Sequence, residues 1–381
     1  MKKVVILGAG FGGLELSTQL SERLGGQVEV TLIDERDAFV VGFAKIEVLF
    51  GRATAEQVRN PYRALKAPGV EFKQERVLSI DPAAKKVSTS RGSYDADILV
   101  VALGAEVDPS VTPGLEQGGH EFYTLEGVQK LAAALPKLRR GPILIGILGA
   151  PYKCPPAPFE VALQLHDWLV RAGKRDQNSI RVLSPAPVPL PISPAGSEKL
   201  LALMRERGIF FTPGALVTEL DPAKKMAVLK TGERFAYELF MAVPVHRVPL
   251  PVEKSPLAPN GWVKVNAETL ETPFENVYAL GDVTSVPVGQ GAVPKAGAFA
   301  DRAARSVADD IVHKVTGQGA RGRFDGVGAC YLEFGEGNVA KVDADFFSGP
   351  SPRVDFLGPS PEYKPHKTAF ADERIARWFK K

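Results

Sequence analysis

The apolar residues of this chain fall into short, dense runs separated by glycine. Residues 2–7 predict a buried strand, and glycines at 8, 10, 12 and 13 follow it. Helical spacing then runs through Leu14, Leu20 and Leu24 before a second strand from Val28 to Ile33. Two further apolar runs, 95–104 and 143–148, each end at glycine, Gly104 in the first and Gly146 and Gly149 in the second. After the second of these, helical spacing resumes at Phe159, Leu163 and His166. Residues 81–104 echo 221–244, each reading as a small β-meander that closes on an apolar strand. The repeat predicts a duplicated α/β module with the second copy inserted in the first. The first would cover 1–105 and 275–325, the second 106–265, and a C-terminal α+β region 326–381.

The first junction carries chemistry. Gly8, Gly10, Gly12 and Gly13 lie between a strand and a helix, and the second strand ends in Asp34 and Glu35. Gly8 permits the turn, Gly10 lets backbone approach a pyrophosphate, and Gly13 allows close helix–strand packing. The helix N-terminus offers amides and a positive dipole to phosphates. An acid at position 34 suits ribose hydroxyls and disfavours a 2′-phosphate. Near the other end, Thr272, Tyr278, Gly281 and Asp282 resemble the late signature of flavoproteins with two dinucleotide domains, in which the aspartate holds the ribityl chain. With both signatures present, the expected cofactor is FAD. The fold class is therefore α/β, with two Rossmann-like dinucleotide-binding domains.

The second junction breaks its own pattern. Where a nucleotide fingerprint belongs, GAPYKCPPAP places prolines at 151, 155, 156 and 158 and a cysteine, Cys154. Proline removes the amide donor and restricts its neighbours. The expectation is a second site that has lost its nicotinamide nucleotide and presents a thiol instead. The proline-rich stretch 184–194 reads as a connecting loop.

Composition narrows the class. A 381-residue chain with 45% hydrophobic and 24% charged residues is a globular protein of two or three domains. A net charge of +3 excludes the basic surface of a nucleic-acid binder. No apolar run spans a bilayer, and the N-terminal run reads as mature structure rather than a secretion signal. Two cysteines, Cys154 and Cys330, make neither a disulfide framework nor a four-ligand zinc site, and no metal is expected.

The motifs GAGFGG at 8–13, APYKCPPAPFE at 150–160, YALGD at 278–282, VPKAG at 293–297 and GACYLEFGEG at 328–337 resemble the sulfide:quinone oxidoreductases and the flavoprotein subunits of flavocytochrome c sulfide dehydrogenase, over nearly the whole chain. The resemblance implies that Cys154 and Cys330 form a redox pair at the flavin. It places Lys295 near the pyrimidine end of the isoalloxazine and Val77 at the adenine. It implies sulfide as electron donor and a quinone, or a c-type cytochrome, as acceptor. Two departures stand out: the third cysteine of most such quinone reductases is absent near Tyr123–Thr124, and Val41 stands near a cysteine that links flavin covalently in the flavocytochrome type. The FAD is therefore expected to be noncovalent.

On this reading Lys153 and the helix starting near Pro158 lower the Cys154 pKa. Glu160 either relays protons or complements the helix dipole, and His166 is structural. Tyr331, Phe334, Phe346 and Phe347 are candidates for an aromatic quinone slot. The C-terminal residues Phe370, Ile375, Trp378 and Phe379, with Arg374, Arg377, Lys380 and Lys381, suit an interfacial helix on a membrane surface, with a docked terminal helix as the alternative. The expected location is a peripheral membrane or cytoplasmic one, and the oligomeric state is left open. A type II NADH:quinone dehydrogenase and a redox-sensing flavoprotein are the competing readings.

Overall fold

The computed structural model describes residues 1–289, 291–349 and 351–380. A parallel five-stranded sheet is ordered Val277–Ala279, Ile98–Val101, Lys2–Leu7, Val28–Asp34 and Val70–Gln74. The central strands are Val-, Ile- and Leu-rich and buried along most of their length, as parallel strands covered on both faces must be. A second parallel sheet is ordered His120–Glu121, Leu239–Val243, Ile143–Ile147, Ile180–Leu183 and Ile209–Thr212. All its strands fall in the chain between Ile98–Val101 and Val277–Ala279 of the first sheet. The second module is thus inserted in the first, and the α/β class holds.

The internal repeat is visible in the backbone. Val77–Asp81, Lys86–Thr89 and Ser93–Asp95 form one antiparallel meander, and Val217–Asp221, Met226–Leu229 and Arg234–Ala236 form the other. Both turn through a lysine in the left-handed region, Lys85 at φ 51° and Lys225 at φ 50°. In both, that lysine's carbonyl accepts a backbone bond from the far end of the meander, Ala96 in one and Tyr237 in the other.

The C-terminal region is a three-stranded antiparallel sheet, Val327–Gly335, Asn338–Asp345 and Arg353–Ser360, followed by the helix Tyr363–Trp378. This helix corrects the interfacial expectation. Trp378 is 0% exposed and its indole donates to Glu15 (2.9 Å). Phe379 is buried and bridges to Leu65. Arg377 pairs with Glu15 and Glu22, and Arg374 with Asp301. Aromatic and basic residues at helical spacing satisfy lipid headgroups and a carboxylate-lined domain surface equally well, and here carboxylates meet them. Lys381 lies outside the described residues. Among the described residues no helix is long and apolar enough to cross a membrane.

Candidate active site

The first loop behaves as its glycines require. Gly8 takes φ 98°, and a Cβ there would lie 2.3 Å from the Ala102 carbonyl oxygen. A Cβ on Gly13 would meet the Gly8 oxygen at 1.8 Å, and one on Gly12 the Leu280 side chain at 2.1 Å. At Gly10 nothing comes within 4 Å, so that face of the loop is open. Leu14 makes the first helical bond back to Gly10 (3.0 Å), which leaves the amides of the first turn aimed into the loop. Asp34 braces this loop, accepting from the amides of Ala9 (2.7 Å) and Arg36 (2.9 Å). Glu35 beside it is exposed, and Val77 is buried at the start of its strand. Gly104 and Gly281 both sit in left-handed turns, at φ 70° and 75°.

Asp282 follows Gly281, and its Oδ1 is buried without a hydrogen-bond partner. Its carbonyl accepts from the Lys295 ammonium (2.7 Å), which also donates to the Thr284 carbonyl (2.9 Å) and sits 3.4 Å over the Trp262 ring. Burial pushes Lys295 down to about 8 against the pull of Asp282. An open glycine face, a helix N-terminus and an orphaned carboxylate oxygen are what a flavin dinucleotide needs. Val41 is buried and offers no thiol for a covalent link.

The second loop, 148–156, is built to another plan. The Ala150–Pro151 peptide is cis, and Cys154 itself takes φ 52°, a left-handed conformation rare for a residue with a Cβ. The helix Ala157–Arg171 begins with its donors already used or absent. Pro156 and Pro158 have no N–H, Ala157 donates to the Cys154 carbonyl (2.9 Å), and Phe159 to the Pro156 carbonyl (3.1 Å). Cys154 N–H donates to the Lys295 carbonyl (2.8 Å), which ties this loop to the first module. A pyrophosphate finds no free amide in this first turn. A cavity of about 230 Å³ lies beside the loop, walled by Tyr152, Pro155, Trp262 and Lys295.

The structure brings the two cysteines and Glu160 together. The helix Ala157–Arg171 packs on the strand Val327–Gly335, which carries Cys330. Both cysteines are half-buried free thiols. Burial raises the Cys154 thiol well above its ordinary range, and Cys330 and Glu160 raise it further. Burial and Glu160 push Cys330 up to about 12. The expected activation of Cys154 is thus corrected: the Lys153 ammonium turns away to the Ala105 carbonyl (2.8 Å), and the helix amides are occupied.

Glu160, 1% exposed, anchors a polar network that residue spacing did not reveal. Its Oε1 accepts from Lys367 (2.7 Å), the Glu333 amide (3.1 Å) and Gln164 (3.3 Å). Lys367 also holds Glu333 (2.9 Å), and Arg52 links Gln164 to Glu47. Burial keeps the Glu160 carboxyl above its ordinary range despite Lys367. A signal for Lys367 did exist, since it shares the helical stripe of Phe370, Ile375 and Trp378 that faces inward. Of the four aromatic candidates, Phe334 and Phe346 are core, while Tyr331 is half-buried against Phe370 (6.1 Å).

Residues 2–304 match the family model described as pyridine nucleotide-disulphide oxidoreductase. The mouse mitochondrial sulfide:quinone oxidoreductase is 26% identical over 366 residues, covering 91% of this chain and 79% of that protein. A type II NADH:quinone oxidoreductase of Staphylococcus aureus is 27% identical, covering 83% of each. The sulfide:quinone oxidoreductase structure from Aquifex aeolicus superposes with TM-score 0.82 at 25% identity, over 98% of this chain and 90% of that one. The protein is a member of the pyridine nucleotide-disulphide oxidoreductase family. It is an FAD-binding oxidoreductase.

Proposed function

We propose that this protein oxidises sulfide through Cys154 and Cys330 and passes the electrons to a quinone. The observation that carries the reading is the closed N-terminus of the helix Ala157–Arg171, where proline and internal bonds replace phosphate-binding amides and a thiol stands beside a second thiol and a buried acid. A disulfide between the two sulfurs is the electrophile. Hydrosulfide attacks one sulfur, the S–S bond breaks, and its electron pair leaves on the other as thiolate. One cysteine then carries a persulfide; a second hydrosulfide attacks its outer sulfur, the S–S bond breaks, the sulfur leaves as HS–S⁻ and both cysteines are left as reduced thiols. Glu160, whose Oε1 is occupied by three donors, takes and returns the proton on its other carboxyl oxygen. FAD, when bound, supplies the two-electron acceptor that restores the disulfide. For the quinone, the half-buried rings of Tyr331, Phe370 and Phe43, with Lys367 over Phe43 (5.1 Å), are the aromatic surface on which its ring would stack. A quinone acceptor puts the protein at a membrane surface, through a face other than the buried side of its C-terminal helix.

The relation to type II NADH:quinone oxidoreductases favours a second reading, NADH as donor. Anaerobic addition of sulfide or NADH to the yellow holoprotein separates the two. Bleaching by sulfide alone, lost in Cys154→Ser and Cys330→Ser, is the expected result. Bleaching by NADH with indifference to sulfide overturns it. Decylubiquinone and cytochrome c, added to the reduced protein, then identify the acceptor by which one restores the yellow colour.

A further inference from the structure

His246 is the one histidine in this region that the proposed chemistry leaves unused. It lies on the strand Val245–Arg247, is 6% exposed, and packs edge-on to Tyr123 with centroids 4.8 Å apart. Its Nδ1 is 2.9 Å from the Pro244 carbonyl. A carbonyl only accepts, so the proton sits on Nδ1 and Nε2 is left as an acceptor. That Nε2 is buried and has no partner. Burial, with Lys153, Lys295 and Lys45 nearby, holds the imidazole down to about 3, so it stays neutral at physiological pH. An unmade bond of this kind carries a desolvation cost that a ligand recovers.

The surroundings indicate what ligand. The Lys45 ammonium donates to the Tyr123 carbonyl (2.5 Å), and the Tyr123 hydroxyl donates to the Lys153 carbonyl (2.9 Å), next to Cys154. Lys45 is brought to about 7 by burial and by the charges of Lys153 and Arg36, with Glu121 and Cys154 acting the other way. Tyr152 lines the 230 Å³ cavity, and its ring centroid is 6.4 Å from that of His246. The cluster therefore offers the Lys45 amine, which a bound anion keeps protonated, and one neutral acceptor beside the thiol. Hydrosulfide matches both demands, because it is an anion that still carries one S–H to donate; chloride matches only the charge.

We propose that His246, Tyr123 and Lys45 form a holding site for hydrosulfide on the Cys154 side of the redox pair, with His246 Nε2 accepting the S–H and Lys45 facing the charge. The inference rests on sulfide being the electron donor. The holoprotein with Cys154→Ser and Cys330→Ser, labelled with ¹⁵N-histidine, is titrated anaerobically with sulfide and separately with chloride. A resonance absent from the His246→Gln protein should shift with sulfide and not with chloride. In the protein with both cysteines, His246→Gln should raise the sulfide concentration for half-maximal flavin bleaching about tenfold while leaving the limiting rate within twofold. A resonance that moves on loading FAD but not on adding sulfide assigns the orphan nitrogen to the cofactor and overturns the proposal. An unchanged half-maximal concentration in His246→Gln overturns it too. If the unaltered holoprotein is not bleached by sulfide at all, it is the donor assignment that fails.

Discussion

Replacing Lys367 with methionine tests whether the C-terminal helix holds the acid beside Cys154 and Cys330. Lys367 is 5% exposed and makes two charge-assisted bonds, to Glu160 at 2.7 Å and Glu333 at 2.9 Å. Removing one partner of a buried ion pair costs about 3–5 kcal/mol, because the other charge is left in low dielectric. Arg52, 3.9 Å from Glu333, remains to face that carboxylate, so the lower end, about 3 kcal/mol, is expected. At about 2 °C per kcal/mol for a chain of this size, thermal unfolding of the holoprotein by circular dichroism should fall by about 6 °C at pH 8. The pH dependence carries the sign. Burial already raises Glu160 above 4.5, and loss of Lys367 raises it further. Between 4.5 and that raised value the native state binds more protons than the unfolded one, so its stability falls as pH rises through the window. The deficit of Lys367→Met should therefore shrink as pH falls from 8 to 5 through that window, because a Glu160 that takes up a proton needs no cation. The pair Lys367→Met with Glu160→Gln should recover most of the loss at pH 8. A deficit under about 1 kcal/mol at pH 8, or one equal at both pH values, would refute the buried-charge account.

The first module supports three substitutions with distinct outcomes. Gly13→Ala puts a methyl 1.8 Å from the Gly8 oxygen and should abolish soluble holoprotein, whereas Gly10→Ala meets nothing within 4 Å. It should fold, with a normal circular dichroism spectrum, yet retain less FAD after gel filtration, because its methyl occupies the face open to the pyrophosphate. Glu15→Gln should free the C-terminal helix: burial raises the Glu15 carboxyl, but bonds from Gln19, Arg377 and Trp378 and the charge of Arg305 outweigh this and hold it below its ordinary range. A group held low stabilises above its unfolded pKa and loses that contribution as pH falls. Limited proteolysis should therefore clip the Glu15→Gln protein near residue 363 at neutral pH, and the unaltered protein only in acid; equal resistance of both would refute it.

Local chemistry was readable because it depends on neighbours in the chain. Gly8, Gly10 and Gly13 are separated by a few residues, and the steric demands that select glycine there act within one turn. The prolines around Cys154 remove donors from their own helix, so the lack of free amides at the start of Ala157–Arg171 is already present in GAPYKCPPAP. Duplication was legible for the same reason: each meander closes on itself, and Lys85 and Lys225 keep the same backbone twist.

What the residues alone determined, then, was the α/β class, the inserted second module and the first nucleotide loop. Only the tertiary structure decided which way shared patterns resolve. An amphipathic stretch with Phe370, Ile375 and Trp378 fits lipid or protein, and the carboxylates of Glu15, Glu22 and Asp301, far away in the chain, turned it inward. Lys153 beside Cys154 looked like its activator until a carbonyl at Ala105 drew it aside. Lys367 and His246 acquire their settings from strands and helices that no local spacing connects, because burial and charge act through space while periodicity acts along the chain.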